Sequence, residues 1–266
     1  MKGKHSDRAS FDRILRSLAP IEPVPTSPGQ LILEIGRSFL GTPYASGTLE
    51  AKGSETVIVN LREFDCVTFV ETVVALAGCV QSRHKSFGSF CRLLRTIRYR
   101  QGRPEGYASR LHYFSDWIYD NRKKGILRDV TREIGGKPFR KTVHVMSGHP
   151  EQYPLLSRPE TLEKMKRVER AISRRSLYFI PKTGFRRLEK RIQDGDILAI
   201  TTNQEGLDIL HTGFAVKKKG RVRLLHASRA AGKVVLSRDT LWRYVMKKRE
   251  RSGIVVARIK PPVSGG

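Results

Sequence analysis

The chain has 266 residues, of which 39% are hydrophobic, so it is long enough to bury a core without disulfides or a structural metal. No apolar run approaches the roughly 20 residues that a membrane-spanning helix requires. Its 51 lysines and arginines against 25 aspartates and glutamates leave a net charge of +26. This excess favours polyanionic partners such as nucleic acid, an anionic membrane surface or an anionic cell-wall polymer.

The first 29 residues are predicted to lead into the main domain. A short amphipathic helix over 8–19 is followed by the proline-rich segment 20–29, which is typical of a linker. The N-terminus as written has no apolar signal segment. We therefore expect a cytoplasmic protein, or an exported or envelope protein if a targeting segment is missing. Residues 30–266 are predicted to form a single domain.

The middle of the chain is predicted to be mainly helical. TVIVN (56–60) is predicted as a strand because it is β-branched. The segment 66–80 is apolar on nearly all sides and predicts a buried helix with Asp65 as its N-cap. Segment 109–125 is predicted to be a loop entering a helix, and 126–157 to be irregular. Further helices are predicted over 30–40, 86–100 and 160–175.

From Tyr178 onward the hydrophobic period changes to two, which is typical of half-buried strands. Tight turns separate the segments, and that combination indicates an antiparallel sheet. Helices first and a sheet last, without alternation of the two, predict an α+β domain. The predicted strands are 178–181, 195–202, 208–216, 221–228, 233–237 and 253–260.

Two histidines fall on neighbouring predicted strands. A turn centred between Lys218 and Lys219 would place His211 directly opposite His226, with Cβ atoms roughly 4.5–5.5 Å apart. Both side chains would then lie on one face of the sheet. A slip of one residue would place them on opposite faces.

Cys66 follows Asp65 in the first turn of the buried helix. Free backbone N–H groups and the helix dipole at this position are expected to lower the thiol pKa. A cysteine nucleophile, a histidine base and an orienting third group are the components of cysteine hydrolases. We expect Cys66 to attack a carbonyl, His211 to move the proton, and His226 to orient His211. The Cys66 N–H would form part of the oxyanion hole.

A zinc site formed by the same cysteine and two histidines is an alternative. No HExxH or CxxC motif accompanies them. The sequence therefore predicts neither a metal nor another cofactor.

Several segments in one order, from about residue 30 to 259, resemble a known superfamily. The segments that resemble the NlpC-type cysteine peptidases, which hydrolyse cell walls, are GTPY (41–44), NLREFDCVTFVE (60–71), GDILAI (195–200), LHTGFAV (210–216) and LLHAS (224–228). Those that resemble the N-acetylmuramoyl-L-alanine amidase-like branch are GTPYASGTLE (41–50), IRYRQG (97–102), GYASRLHYFSDWIYDN (106–121) and HVMSGH (144–149).

This resemblance implies a papain-like core, in which a helix opened by the catalytic cysteine packs on an antiparallel sheet, with helical insertions. It implies hydrolysis of the amide between N-acetylmuramic acid and L-alanine in peptidoglycan or muropeptides. The nucleophile, base and orienting residue fall on Cys66, His211 and His226. Tyr44 would border the cleft, and Asp65 is expected to contact polar groups of the substrate if it is not only a cap.

The resemblance also implies substrate-binding residues in the segment 109–117. Arg110, His112 and Tyr113 offer a cation, a donor and an amphipathic ring suited to a sugar N-acetyl group or a lactyl–alanyl carboxylate. The alternative for Tyr113 is a place among the core aromatics of a helix. His149 is expected to wall the cleft.

Three alternatives remain open from the sequence. An endopeptidase would cut within the stem peptide, and an acyltransferase would pass the acyl group to an amine rather than to water. A nucleic-acid-binding module would use the basic surface, including helix 86–100, but no zinc-finger, RNA-recognition or basic-zipper motif is present. We therefore expect no dedicated nucleic-acid partner, and an electrostatic attraction to anionic cell-wall polymers instead.

Overall fold

The computed structural model describes residues 2–18, 27–50, 55–82 and 85–261. Most of the predicted proline-rich linker lies outside these ranges. Its last residues differ from the prediction, because Pro28 is the first residue of a helix. Within the described ranges, no helix is long and apolar enough to cross a membrane.

The described residues form a mixed α/β fold in which every strand pairing is antiparallel. The helices are α1 (Lys2–Leu18), α2 (Pro28–Ser38), α3 (Cys66–Gln81), α4 (Phe87–Arg98), α5 (Phe114–Lys123), α6 (Thr131–Ile134), α7 (Val145–Gly148), α8 (Pro159–Ser173), α9 (Phe185–Leu188) and α10 (Leu241–Met246). The strands are β1 (Leu127–Asp129), β2 (Lys137–Phe139), β3 (Leu177–Pro181), β4 (Ile197–Thr202), β5 (Ile209–Lys218), β6 (Arg221–Ser228), β7 (Lys233–Thr240) and β8 (Arg251–Ile259). They form one sheet in the order β2-β3-β8-β4-β5-β6-β7, and β1 also pairs with β8.

The six strands predicted from the period of two are confirmed as β3 to β8. The prediction of a strand over 56–60 is wrong, because this segment joins no ladder. Its carbonyl groups accept hydrogen bonds from side chains instead. The Tyr99 hydroxyl donates to the Thr56 carbonyl at 2.9 Å, and Arg98 donates to the Ile58 carbonyl at 2.5 Å. The segment 126–157 is not wholly irregular, since it contains short elements that offer too few residues for a readable period.

Helices cover both faces of the sheet. On one face α3 packs against β5 and β6, and the Phe69 ring of α3 meets Phe214 of β5 at 5.7 Å. On the other face Leu241 and Val245 of α10 lie in a second buried cluster. Phe11 of α1 belongs to the first cluster. Helix α1 is thus packed on the core, and a domain boundary at residue 29 stays a prediction.

The start of α3 is fixed by the predicted cap. The Asp65 carboxylate accepts the N–H groups of Val67 at 3.0 Å and Thr68 at 2.7 Å. The Thr68 hydroxyl in turn accepts the Asp65 N–H at 3.0 Å, which completes a capping box. The prediction that Asp65 caps this helix is confirmed, and Cys66 occupies its first turn.

Residues 143–173, which we call the roof, contribute most of a third apolar cluster. A buried carboxylate joins the roof to the segment before α5. Tyr113 donates its hydroxyl to Glu169 at 2.6 Å and accepts the Met146 N–H at 3.0 Å. Glu169 also accepts the Ser147 N–H at 3.0 Å. Side chains distant in sequence are therefore held in one hydrogen-bonded group.

The first turn of α2 touches the turn before β4 backbone to backbone. A Cβ atom added to Gly29 would lie 2.1 Å from the Asp194 carbonyl oxygen, and one added to Gly195 would lie 2.3 Å from the Gly29 oxygen. Gly195 also has a φ of +76°. The two glycines permit this contact because neither carries a side chain.

Candidate active site

A cavity of about 210 Å³ lies between the start of α3, β5 and the roof. Both Cys66 and His211 line this cavity, as the sequence predicts for a nucleophile and its base. Further polar side chains in its wall are Glu50, Tyr107, His112, Tyr113, Tyr153, Asp208 and Thr212.

The β5–β6 hairpin brings the two predicted histidines together, but in a different register. Lys219 and Gly220 form its two-residue turn, with φ values of 50° and 71°. Glycine suits this position because the turn needs positive φ. The expected directly opposite pair is wrong: continuing the register that pairs Phe214 with Leu225 places Gly213 opposite His226.

The observed register differs from the expected one by an even number of residues, so both histidines stay on one face of the sheet. Nε2 of His211 lies 2.6 Å from Nδ1 of His226, which confirms the predicted contact. A Cβ atom at Gly213 would lie 2.8 Å from the His226 Cβ. The missing side chain therefore leaves the space in which the diagonal pair forms.

An aromatic ring and a cation lie behind the histidine pair. The Tyr244 ring of α10 meets the His226 ring at 5.5 Å and the His211 ring at 6.0 Å. The Arg251 guanidinium lies 3.9 Å from the centre of the Tyr244 ring. Because the guanidinium carries a fixed charge, it disfavours a second positive charge on either imidazole.

Burial, followed by the neighbouring His226 and Arg251, lowers the pKa of His211 to about 3. Burial and Arg251 lower the pKa of His226 to about 4. Both rings are therefore neutral near pH 7, so one donates and the other accepts in their shared hydrogen bond. A neutral His211 is able to accept a proton.

The expected lowering of the Cys66 pKa is wrong. Burial, with the Asp65 carboxylate as a second cause, raises the pKa of the Cys66 thiol to about 12. Backbone hydrogen bonds at Thr212 and at the start of α3 lower this pKa, as expected for a helix N-terminus, but burial is the larger effect. The resting site therefore holds a neutral thiol and a neutral imidazole.

The other predicted residues fall into two groups. Tyr44 lies outside the cavity wall but near the nucleophile. Burial raises the pKa of the Tyr44 hydroxyl, and the nearby Cys66 and Asp65 add to this effect. Arg110 is not brought to the cavity. It is buried and binds carboxylates of the protein itself, with Glu50 at 2.9 Å and Glu55 at 3.5 Å.

His112 and Tyr113 line the cavity, whereas His149 does not. Nε2 of His112 lies 2.8 Å from the Tyr107 carbonyl oxygen. A carbonyl only accepts, so this nitrogen carries the proton and Nδ1 carries a lone pair. Burial and the nearby Arg110 lower the pKa of His112 to about 3. His149 is exposed, with Glu151 at 3.6 Å.

Sequence reasoning missed five polar residues of the wall: Glu50, Tyr107, Tyr153, Asp208 and Thr212. Asp208 accepts the N–H groups of Ser115 at 3.0 Å and of Ile209 at 2.7 Å, and burial raises its pKa. Apart from Thr212, which lies on β5, these residues lie in loops and short turns, where no periodicity marks them. Their types and places within quoted motifs, such as Tyr107 in GYASRLHY, were the available signals.

No group of three or more His, Cys, Asp or Glu side chains in the described ranges is arranged to hold a metal ion. The three residues of the alternative zinc site are thus not grouped as metal ligands. The chemistry available at the cavity is that of a thiol and an imidazole in one wall, the imidazole being hydrogen-bonded to a second one.

The family match and the solved structures place this protein in the class of amidase-like hydrolases. Residues 34–254 match the N-acetylmuramoyl-L-alanine amidase-like (AmiA-like) family, and the chain belongs to this family. The search of curated protein sequences found no match to the chain.

The chain is also similar to several solved structures. An N-acetylmuramoyl-L-alanine amidase from Bacteroides uniformis is 38% identical, with a TM-score of 0.84 over 88% of this chain and 99% of that one. A Bacteroides fragilis protein described as a candidate xylanase is 41% identical, with a TM-score of 0.80 over 84% and 99% of the two chains. A Legionella pneumophila protein, 23% identical over 98% and 96% with a TM-score of 0.74, shares the fold.

Proposed function

We propose that this protein hydrolyses the amide between N-acetylmuramic acid and L-alanine in peptidoglycan fragments, using Cys66 as nucleophile. The observation that carries the proposal is that Cys66 and His211 line one cavity, while His211 contacts His226 at 2.6 Å. Membership of the amidase-like family supports the choice of bond. The packing of α3 on β5 and β6 supports a papain-like core of the NlpC type.

In this mechanism His211 is the base and His226 orients it. Because Nε2 of His211 contacts Nδ1 of His226, Nδ1 of His211 is the nitrogen that accepts the thiol proton. In the resting site, His211 therefore donates its Nε2–H to Nδ1 of His226, and this hydrogen bond sets the tautomer of both rings. Deprotonation accompanies attack, since the resting thiol is neutral.

The bonds change in two stages. The Cys66 sulfur bonds to the lactyl carbonyl carbon, the C–N bond breaks, and the proton on His211 passes to the leaving nitrogen of L-alanine. Water then attacks the thioester with His211 as base, which releases the muramic acid carboxylate and restores the thiol. The Cys66 N–H at the start of α3 contributes to binding the oxyanion.

Mass spectrometry of defined muramyl-peptides, from muramyl-L-alanine to the tetrapeptide, tests this function. Wild type and Cys91→Ala should release L-alanine or the intact stem peptide, and Cys66→Ala should release neither. Cys91 is a suitable control because it is a partly buried thiol on α4 that does not line the cavity.

Other outcomes would contradict parts of the proposal. Cuts inside the stem peptide that require Cys66 would make the enzyme an endopeptidase. Transfer to an added amine in place of hydrolysis would make it an acyltransferase. Equal activity of Cys66→Ala would exclude Cys66 as the nucleophile.

A further inference from the structure

The cavity differs in charge from the protein that surrounds it. The chain carries a net charge of +26, yet among the described residues neither lysine nor arginine lines the cavity. Its wall contains two carboxylate side chains, Glu50 and Asp208. The electrostatic properties of the cavity therefore cannot be read from the net charge of the chain.

Arg110, the cation in contact with Glu50, does not make the charge of the cavity wall positive. Arg110 contacts Glu50 at 2.9 Å but also Glu55 at 3.5 Å, so one guanidinium is shared by two carboxylates. The Arg110 side chain is 5% exposed and that of Glu50 is 44% exposed. An incoming group therefore meets the Glu50 carboxylate before the guanidinium behind it.

Three further polar side chains of the wall present acceptors to the cavity. The Asp208 carboxylate accepts two backbone N–H groups and forms no ion pair within the described ranges. His112 donates from Nε2 to the Tyr107 carbonyl at 2.8 Å, so Nδ1 remains an acceptor. The Tyr113 hydroxyl donates to Glu169 at 2.6 Å and has no second proton to donate.

We propose that this cavity is a subsite for an uncharged group that donates hydrogen bonds, and that it excludes carboxylates. Which part of the substrate enters rests on the proposed function. In a muramyl-peptide, the N-acetyl sugar supplies neutral hydroxyl and amide donors, whereas the stem peptide carries carboxylates. The sugar side thus enters the cavity, and the peptide extends outward over the basic exterior.

This arrangement also affects the product. Hydrolysis converts a neutral lactyl amide into a carboxylate beside Cys66, in a cavity whose lining, among the described residues, includes no lysine or arginine. A negative charge placed near the Glu50 and Asp208 carboxylates is repelled most strongly where little water screens it. The acid product should therefore bind more weakly than the amide from which it forms.

A matched pair of ligands tests the subsite without turnover. N-acetylmuramic acid and its primary lactyl amide differ in a single charged group, and Cys66→Ala prevents hydrolysis of the amide. NMR titration of this variant at pH 7 should give a dissociation constant about tenfold lower for the amide than for the acid. The dipeptide L-Ala-D-Glu should not compete with the amide.

Two further substitutions, each made in the Cys66→Ala background, separate charge from hydrogen bonding. Glu50→Gln should lower the dissociation constant of the acid and so bring it closer to that of the amide. Arg110 would keep its contact with Glu55. His112→Ala should weaken both ligands and leave their ratio unchanged, because His112 is neutral. The control is Glu163→Gln, which removes an exposed carboxylate 2.8 Å from Lys166 on α8 and should change neither constant.

Acid binding as tight as amide binding, or displacement of the amide by the dipeptide, would overturn the subsite even if wild type cleaves muramyl-peptides. Preference for the amide in a protein whose wild type cleaves no muramyl-peptide would support the subsite and overturn the proposed function. The two proposals therefore fail separately.

Discussion

Two sides of the cavity are built differently. The sheet wall is β5, whose His211 lines the cavity, together with its neighbour β6, which carries His226; backbone ladders hold both strands. The roof, residues 143–173, consists of short helical turns and α8, and Glu169 of α8 fastens it to Tyr113. Groups that must meet at hydrogen-bond distance are thus placed on the more regular element, where positions are defined best. Chemistry and recognition should therefore respond differently to substitution.

The largest effect on the sheet wall is expected from His211→Asn. Removal of the proton-accepting ring should lower kcat by about 10²–10⁴-fold, with little change in KM or melting temperature. Steady-state kinetics and thermal unfolding measure this split. His144→Asn is the matched control, because His144 is 44% exposed in the roof. Retained kcat in His211→Asn would exclude His211 as the base.

A smaller effect is expected from His226→Ala, because His226 acts through His211. Loss of the 2.6 Å contact frees the His211 ring, and misplacement of a reacting group costs about 10²-fold in kcat. His226→Asn, which keeps an acceptor, should recover part of this loss. An equal kcat for the Ala and Asn variants would argue against an orienting hydrogen bond.

The pH dependence of activity distinguishes this histidine pair, whose pKa values are lowered, from histidines with ordinary pKa values. The pKa of His211 is lowered to about 3, so the base stays unprotonated well below pH 6.5 and kcat/KM should persist into that range. Arg251→Gln removes a cause of the lowering and should move the acidic limb to higher pH. Arg249→Gln, an exposed charge change on the same segment, should not. A limb near 6.5 in wild type would contradict the effect of burial.

The smallest effect on turnover is expected at the hydrogen bond that fastens the roof to Tyr113. Tyr113→Phe removes the 2.6 Å hydrogen bond to Glu169 and the acceptor of the Met146 N–H. The free energy of unfolding should fall by about 1–3 kcal/mol, and KM should rise with kcat nearly unchanged. Urea unfolding and kinetics measure both, with Tyr178→Phe on β3 as control. A large loss of kcat would show that roof and sheet wall are not separable.

The sheet wall was predictable because its information is local. A period of two identifies β4 to β8, and an even displacement of register preserves the face on which His211 and His226 lie. Their diagonal contact was not predictable, since it depends on a turn at Lys219 and Gly220 rather than one residue earlier. The Cys66 pKa was predicted in the wrong direction because a helix position can be read from sequence, whereas burial depends on everything packed around the thiol.

The rest of the site was less predictable because long-range contacts decide which residues reach it. Arg110 and His112 are two residues apart, yet Arg110 binds carboxylates inside the protein while His112 faces the cavity. The β-branched residues at 56–60 favoured a strand. Their backbone carbonyl groups instead accept hydrogen bonds from the side chains of Arg98, the last residue of α4, and Tyr99, which follows it. Composition indicates which residues are able to bind a ligand, but only packing decides which of them face one.

The contact between Gly29 and Gly195 has a consequence for folding kinetics. It joins two backbones that are far apart in the sequence, and the entropy of closing so long a loop must be offset by other contacts first. The first turn of α2 should therefore dock after the sheet has formed. Substitution by alanine at Gly29 should then speed unfolding more than it slows folding, because interactions that form after the transition state act mainly on the unfolding rate.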